Sequence, residues 1–138
     1  MGYRRPMGYV KTLYNIAAVM TDSPEQDKLQ FLSEPIVTAN HSFIRWHGRN
    51  VKPTYNYLYS REELKPWVDK INRISSVTTI VRGYFNNHYG VRAVVNALEF
   101  KQMLDTSLSD KEKAVVENAR NFFFQASRQS TLDNRSRQ

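Results

Sequence analysis

VTTIVRGYFNNHYGVRAVVNALEF (residues 77–100) reads as a strand, a junction and a helix in immediate succession. Its first nine positions, 77–85, are rich in β-branched and aromatic residues, which suit a pleated, half-buried surface. Asn86 and Asn87 interrupt that run. From about Val91 to Leu104 the apolar residues return at helical spacing, in two stripes. One is Val91, Val94, Val95 and Leu98; the other is Ala93, Ala97, Phe100 and Leu104. A helix apolar on that much of its circumference packs against more than one neighbour. A strand that runs straight into a helix is half of a βαβ unit, so the fold depends on whether similar units precede it.

They do. IAAVMT (16–21) is a continuous apolar run of the kind found in strands buried on both faces. Asp22-Ser23-Pro24 ends it, because proline cannot continue a ladder and aspartate favours a turn. SFIRWH (42–47) is a second strand. Phe43, Arg45 and His47 fall on one face and Ile44 and Trp46 on the other, and Gly48 ends the run. Ser60 and Glu63 form a capping box, S-x-x-E, that opens a helix with Leu64, Trp67, Val68, Ile71 and Ile74 on one stripe. Pro66 inside it predicts a kink or a late start. Ser109 and Glu112 form a second capping box, opening a helix with Val115, Ala119, Phe122 and Ala126 in register. Near the start, YVKTLY (9–14) reads as a helix end, with Asn15 taking the left-handed conformation that stops it. The expected order is helix, strand, loop, strand, helix, strand, helix, helix. That is an α/β fold with parallel pairing and right-handed crossovers.

The chain has 138 residues, 41% hydrophobic and 24% charged, as expected of one globular domain. The expected organisation is a flexible arm over 1–8, a single α/β domain over 9–126 and a disordered basic tail over 127–138. The absence of cysteine excludes disulfides and thiolate chemistry. The basic opening lacks an apolar segment behind it, and IAAVM is far too short to span a bilayer. A cytoplasmic protein without membrane contact is therefore the expectation, in which the N-x-S sequons at Asn40 and Asn134 mean little. The net charge of +7 raises nucleic acid as a partner, but the basic excess gathers near the ends, in Arg4, Arg5, Arg120, Arg128, Arg135 and Arg137. Charged ends are more often solvated than binding, so nucleic acid is not the expected partner.

Three stretches resemble, in order, blocks of the YecE-like family known as domain of unknown function 72. They are VTANHSFIRWHGRN (37–50), YNYLYSREELKPWVDKI (55–71) and GYFNNHYGVRAVVNALEF (83–100), with VMTDSP (19–24) similar to the block before them. The resemblance covers residues 9–104 and leaves out the C-terminal helix. It implies a TIM-type (β/α)₈ barrel, which takes about 250 residues. This chain shows the last three strand–helix units plus an extra C-terminal helix, and the family's glycine- and tryptophan-rich opening has no counterpart here. The resemblance implies no reaction and no cofactor.

If these are barrel strands, their C-terminal ends form the functional face. Asp22 follows the first, His47 ends the second, and Asn86 and Asn87 end the third. His47 is the candidate acid or base near neutral pH, and Asp22 is a second candidate catalytic residue. Arg45, Arg49, Asn86 and Asn87 are the candidate ligand-binding residues, for phosphate or another small anion. Each has a structural alternative: Arg45 in an internal ion pair with Asp22, and the asparagines satisfying loop backbone or capping the next helix. Tyr55, Tyr57 and Tyr59 read as packing for a long loop. His41, His47, His88 and Asp22 lack metal-ligand spacing, and no metal is expected. The resulting expectation is a chain that contributes part of a polar, anion-tolerant site. It would need a partner, either a second copy in a homo-oligomer or a complementary barrel half on another chain, because open sheet edges invite pairing. A stand-alone hydrolase or phosphate-handling enzyme is the alternative, and a basic nucleic-acid-binding module a further one.

Overall fold

The computed structural model describes residues 14–24 and 33–135, with side chains described as far as residue 126. The expected arm and the body of the first helix lie outside the described residues. Asn15 is inside them and has a φ of 50°, the left-handed conformation read from the sequence.

Three strands follow, β1 (Val19–Asp22), β2 (His41–Trp46) and β3 (Ile80–Phe85). They form one parallel sheet in the order β1-β2-β3. Helix α1 (Arg61–Ser75) connects β2 to β3, a short 3₁₀ turn (Tyr89–Val91) follows β3, and α2 (Arg92–Met103) and α3 (Asp110–Arg135) complete the chain. The sequential parallel order and the interposed helix agree with the α/β reading.

The register shows what each sheet face does. Met20, Asp22, Ile44, Trp46, Gly83 and Phe85 share the helix-covered face, in rows Met20–Ile44–Gly83 and Asp22–Trp46–Phe85. Trp46 is its centre: it stacks on Phe85 at 4.5 Å and meets Trp67 of α1 and Phe100 of α2 edge-on at 5.3 and 5.2 Å. Leu64, Trp67 and Ile74 of α1 are buried against it as their stripe required. The opposite face carries Val19, Thr21, Phe43, Arg45, Ile80, Arg82 and Tyr84, and no described helix covers it. Val19, Ile80 and Tyr84 keep 45%, 44% and 48% of their surface exposed.

Both capping boxes form. Ser60 accepts from the Glu63 N–H while Glu63 accepts from the Ser60 N–H, and Ser109 and Glu112 do the same at the start of α3. The box at Ser60 starts α1 at Arg61 with Pro66 inside the helix, so of the two effects expected of Pro66 the late start does not occur.

Two expectations need correction. Helix α2 does not bury two apolar stripes: Val95, Asn96, Glu99 and Phe100 are buried, while Val91 and Val94 are exposed. Its buried face was misplaced because Asn96 and Glu99 find polar partners inside, which apolar counting misses. Glu99 receives a two-pronged contact from Arg120, with Nε at 2.7 Å from Oε1 and Nη2 on Oε2. Arg120 is thus a clamp between α2 and α3, not a tail charge. Helix α3 also runs on to Arg135, past the boundary at residue 126 where a disordered tail was expected. Residues 136–138 lie outside the described residues. No described helix is long and apolar enough to cross a membrane.

Gly83 exists because of Trp46. A Cβ at this position would sit 2.7 Å from Trp46 Cζ3. Gly83→Ala should therefore displace the central indole and destabilise the chain by about 1–3 kcal/mol, the usual penalty for overpacking, as read from chemical denaturation. An unchanged midpoint would show that Trp46 is not held as described.

Candidate functional site

The C-terminal ends of β1, β2 and β3 lie side by side, and the loops leaving them are tied together by polar contacts. These divide into a buried network on the helix-covered side and a more open group on the other side.

The buried network centres on Asp22. Its position in the strand points the side chain toward the helices, level with Trp46, where it is fully buried. A carboxylate in such surroundings must be matched by donors. Arg49 supplies two, Nε to Oδ1 at 3.2 Å and Nη2 to Oδ2 at 3.0 Å. The Tyr59 hydroxyl donates to Oδ1 at 2.8 Å and the Trp67 indole N–H to Oδ2 at 3.0 Å. Burial alone would lower the Arg49 pKa, but the hydrogen bond and charge of Asp22, aided by Glu63, raise it instead. Burial, then the adjacent Asp22 charge, pushes the Tyr59 phenol far up, so it remains a donor.

From Asp22 the network reaches the loops that follow β2 and β3. Arg49 Nη1 lies 3.3 Å from Glu63 Oε1, the capping glutamate of α1. The Tyr57 hydroxyl also donates to Glu63, and burial followed by that bond pushes its pKa up to about 12. The Tyr59 hydroxyl accepts from the Gly48 N–H at 2.8 Å. Gly48 has a φ of 93°, and a Cβ there would lie 2.6 Å from Tyr57 Cβ, so glycine is required by both conformation and space. Asn96 of α2 brackets the Tyr59 backbone, accepting from its N–H at 3.0 Å and donating to its carbonyl at 2.9 Å. Asn87 joins the system by donating to Asn96 Oδ1 and to the Tyr57 carbonyl, both at 2.8 Å.

The open group holds Arg45, Asn86, His47, Tyr55 and His88. Asn86 extends the β3 ladder through its N–H to the Trp46 carbonyl at 2.7 Å, and its Oδ1 accepts from Arg45 Nε at 3.0 Å. Arg45 is exposed and has no carboxylate partner among the described residues. The His47 N–H continues the β1–β2 ladder to the Asp22 carbonyl at 2.8 Å. Its imidazole Nδ1 is buried with no hydrogen-bond partner among the described residues. Desolvation, then the Arg45 charge, lowers the His47 pKa below 6.5, against a smaller upward pull from Asp22. The rings of His47, Tyr55, His88 and Tyr89 follow one another at 5.7, 5.6 and 5.3 Å.

The sequence candidates therefore separate. Arg45 and His47 share the face opposite Trp46, as the alternation of SFIRWH required, and Asn86 is in direct contact with Arg45. Asp22, a candidate catalytic residue, is instead engaged by four accepted hydrogen bonds from Arg49, Tyr59 and Trp67, and its side chain does not contact His47. The alternative ion pair of Arg45 with Asp22 does not form either: Arg49 occupies the carboxylate, because Arg45 points to the other face. Asn87, expected to bind ligand, is fully buried and holds loop backbone, one of the structural roles considered for it. Sequence reading missed Tyr59, Trp67 and Asn96 as parts of this network. Only the S-x-x-E box beside YNYLYS hinted that the loop was anchored. Among the described residues, no three His, Asp or Glu side chains gather as a metal site.

Two outcomes test this division. Arg49→Met should cost about 3–5 kcal/mol, since it strands a buried carboxylate, and Asp22→Asn should cost less, because Arg49 can turn to water. Equal small losses by denaturation would contradict the network. For His47, a depressed folded-state pKa means that its stabilising contribution is present above 6.5 and lost as pH falls through the folded value. An NMR titration should give a His47 midpoint below 6.5 that moves up in Arg45→Met; a midpoint at or above that value would refute the assignment.

The comparisons with known proteins agree with this architecture. No curated protein matches the chain. Among solved structures, a DUF72 family protein from Thermotoga maritima is 34% identical, with a TM-score of 0.55 over 63% of this chain and 36% of that one. A DUF72 family protein from Enterococcus faecalis is 30% identical, with a TM-score of 0.56 over 64% of this chain and 37% of that one. A second structure of the Enterococcus faecalis protein aligns over 77% of this chain and 42% of that one, with a TM-score of 0.62; at 22% identity it speaks to the fold alone. The chain thus spans well under half the length of these proteins. The model of the family described as Protein of unknown function DUF72 matches residues 9–120, reaching into α3 and beyond the boundary at 104 drawn from the motifs. This chain belongs to the DUF72 family.

Proposed function

We propose that this chain supplies one wall of a polar, anion-binding site at the C-terminal edge of a sheet equivalent to the last three strand–helix units of a TIM-type barrel. Three parallel strands in sequential order, with helices on one face and the other face uncovered, support the barrel reading. The match to little more than a third of the length of longer family members supports it as well. On this reading the remaining wall of the site belongs to polypeptide beyond the units described here, and the activity of the whole depends on both.

The observation that carries the anion reading is Arg45. Asn86 holds its Nε, which fixes the plane of the guanidinium and leaves the two Nη groups without an acceptor among the described residues. Arginine presented in this way suits a planar or tetrahedral oxyanion, such as a phosphate group. Asp22 and Arg49 then act at one remove, holding the loops that frame the site.

A second reading has its own support in His47. A depressed pKa leaves the imidazole neutral near pH 7, the form a general base requires. Hydrolysis of a phosphate ester, with Arg45 holding the anion and His47 activating water, follows from that pairing.

Titration with inorganic phosphate, followed by NMR of the Arg45 and His47 side chains, tests the site. Saturable shifts that disappear in Arg45→Met and persist in Arg73→Met, in the exposed last turn of α1, are expected. Shifts unaffected by Arg45→Met, or no shift at all, would sink the anion reading.

A further inference from the structure

The uncovered sheet face has a composition that specifies its partner. Its rows run Val19–Phe43–Arg82 and Thr21–Arg45–Tyr84, with His41 and Ile80 at the N-terminal end. Phe43 and Tyr84 stack at 4.8 Å with their planes 14° apart, so the middle of the face is apolar. Arg82 projects beside that stack and is exposed, with no ion pair or hydrogen bond among the described residues. No aspartate or glutamate stands on this face in any of the three strands.

Covering the face is favourable for Phe43, Tyr84, Val19 and Ile80, but it would take the Arg82 guanidinium out of water. A buried cation without an anion costs several kcal/mol, enough to cancel the apolar gain. The covering surface must therefore bring a carboxylate to Arg82. A second copy docked face to face cannot do so: a two-fold axis would set Arg45 and Arg82 of both copies in one dehydrated layer with no acid among them.

We infer that this face is closed by a different polypeptide segment, carrying the remaining strand–helix units of the family fold and presenting a carboxylate to Arg82. The inference rests on the partial-barrel reading above and goes beyond it by choosing between the two partners that reading leaves open. It assigns Arg82 a role separate from Arg45: Arg45 serves the ligand at the C-terminal edge, and Arg82 selects the covering wall.

The test is to co-express this chain with the part of the Thermotoga maritima family protein outside the matched span, and to measure mass by light scattering during size exclusion. A one-to-one complex of the two polypeptides is expected. Arg82→Met should leave the circular dichroism of the isolated chain unchanged and weaken the complex at least tenfold. A homodimer in place of the mixed complex, absence of any complex, or a complex indifferent to Arg82→Met would each overturn the inference. The outcome is separable from the anion reading. Phosphate shifts at Arg45 without a mixed complex would remove only the partner assignment, and a mixed complex without phosphate shifts would remove only the proposed ligand.

Discussion

The carboxylate of Asp22 is the constraint on which the rest of the structure depends. It sits at the end of β1 on the side of the sheet that faces the helices, beyond the reach of water. Left alone there it would not remain charged without a severe penalty. Arg49, Tyr59 and Trp67 together remove that penalty, and they come from the loop after β2, the end of the following segment and the body of α1. One charge thereby fixes the relative position of three parts of the chain distant in sequence. Glu63 extends the effect, since it caps α1 while also receiving Arg49 and Tyr57. Such a fully matched network adds less to net stability than to uniqueness, because nearly every alternative packing leaves a charge exposed to apolar surroundings.

This anchoring explains why the two sides of the sheet behave so differently. On the helix side, aromatic packing around Trp46 and the polar network leave almost no freedom. On the other side, Phe43, Arg45, Arg82 and Tyr84 keep access to water, and nothing in the described chain settles their final surroundings. The asparagine pair after β3 shows the contrast in two adjacent residues. Strand alternation carries past Phe85, so Asn86 turns toward the open face and holds Arg45, while Asn87 turns inward and holds the Tyr57 carbonyl. Similar side chains at neighbouring positions therefore hold the open face and brace the loops behind it respectively.

The same logic orders the cations. Arg49, Arg120 and Lys101 are engaged by Asp22, Glu99 and Glu112, so these three cations balance acids within the fold. Arg45 and Arg82 are different. They lie on the uncovered face, one held by an asparagine and one unpaired among the described residues. A basic composition is thus informative only once the structure separates the arginines that balance a buried acid from those without a carboxylate partner among the described residues.

The sequence alone determined what depends on neighbours along the chain. Strand alternation in SFIRWH placed Arg45 and His47 opposite Trp46, the two S-x-x-E boxes located the starts of α1 and α3, and Asn15 took its left-handed conformation. These features follow from backbone geometry over a few residues, so local spacing is sufficient to read them. What the sequence could not show was which acid meets which base across the fold. Asp22 is surrounded by Arg49, Tyr59 and Trp67 because a short strand turns it toward the helices, and that depends on register between strands. Asn96 and Glu99 look like solvated helix positions until Tyr59 and Arg120 arrive from elsewhere to satisfy them. Polar burial is a property of pairs brought together in space, and only the tertiary structure decides those pairs.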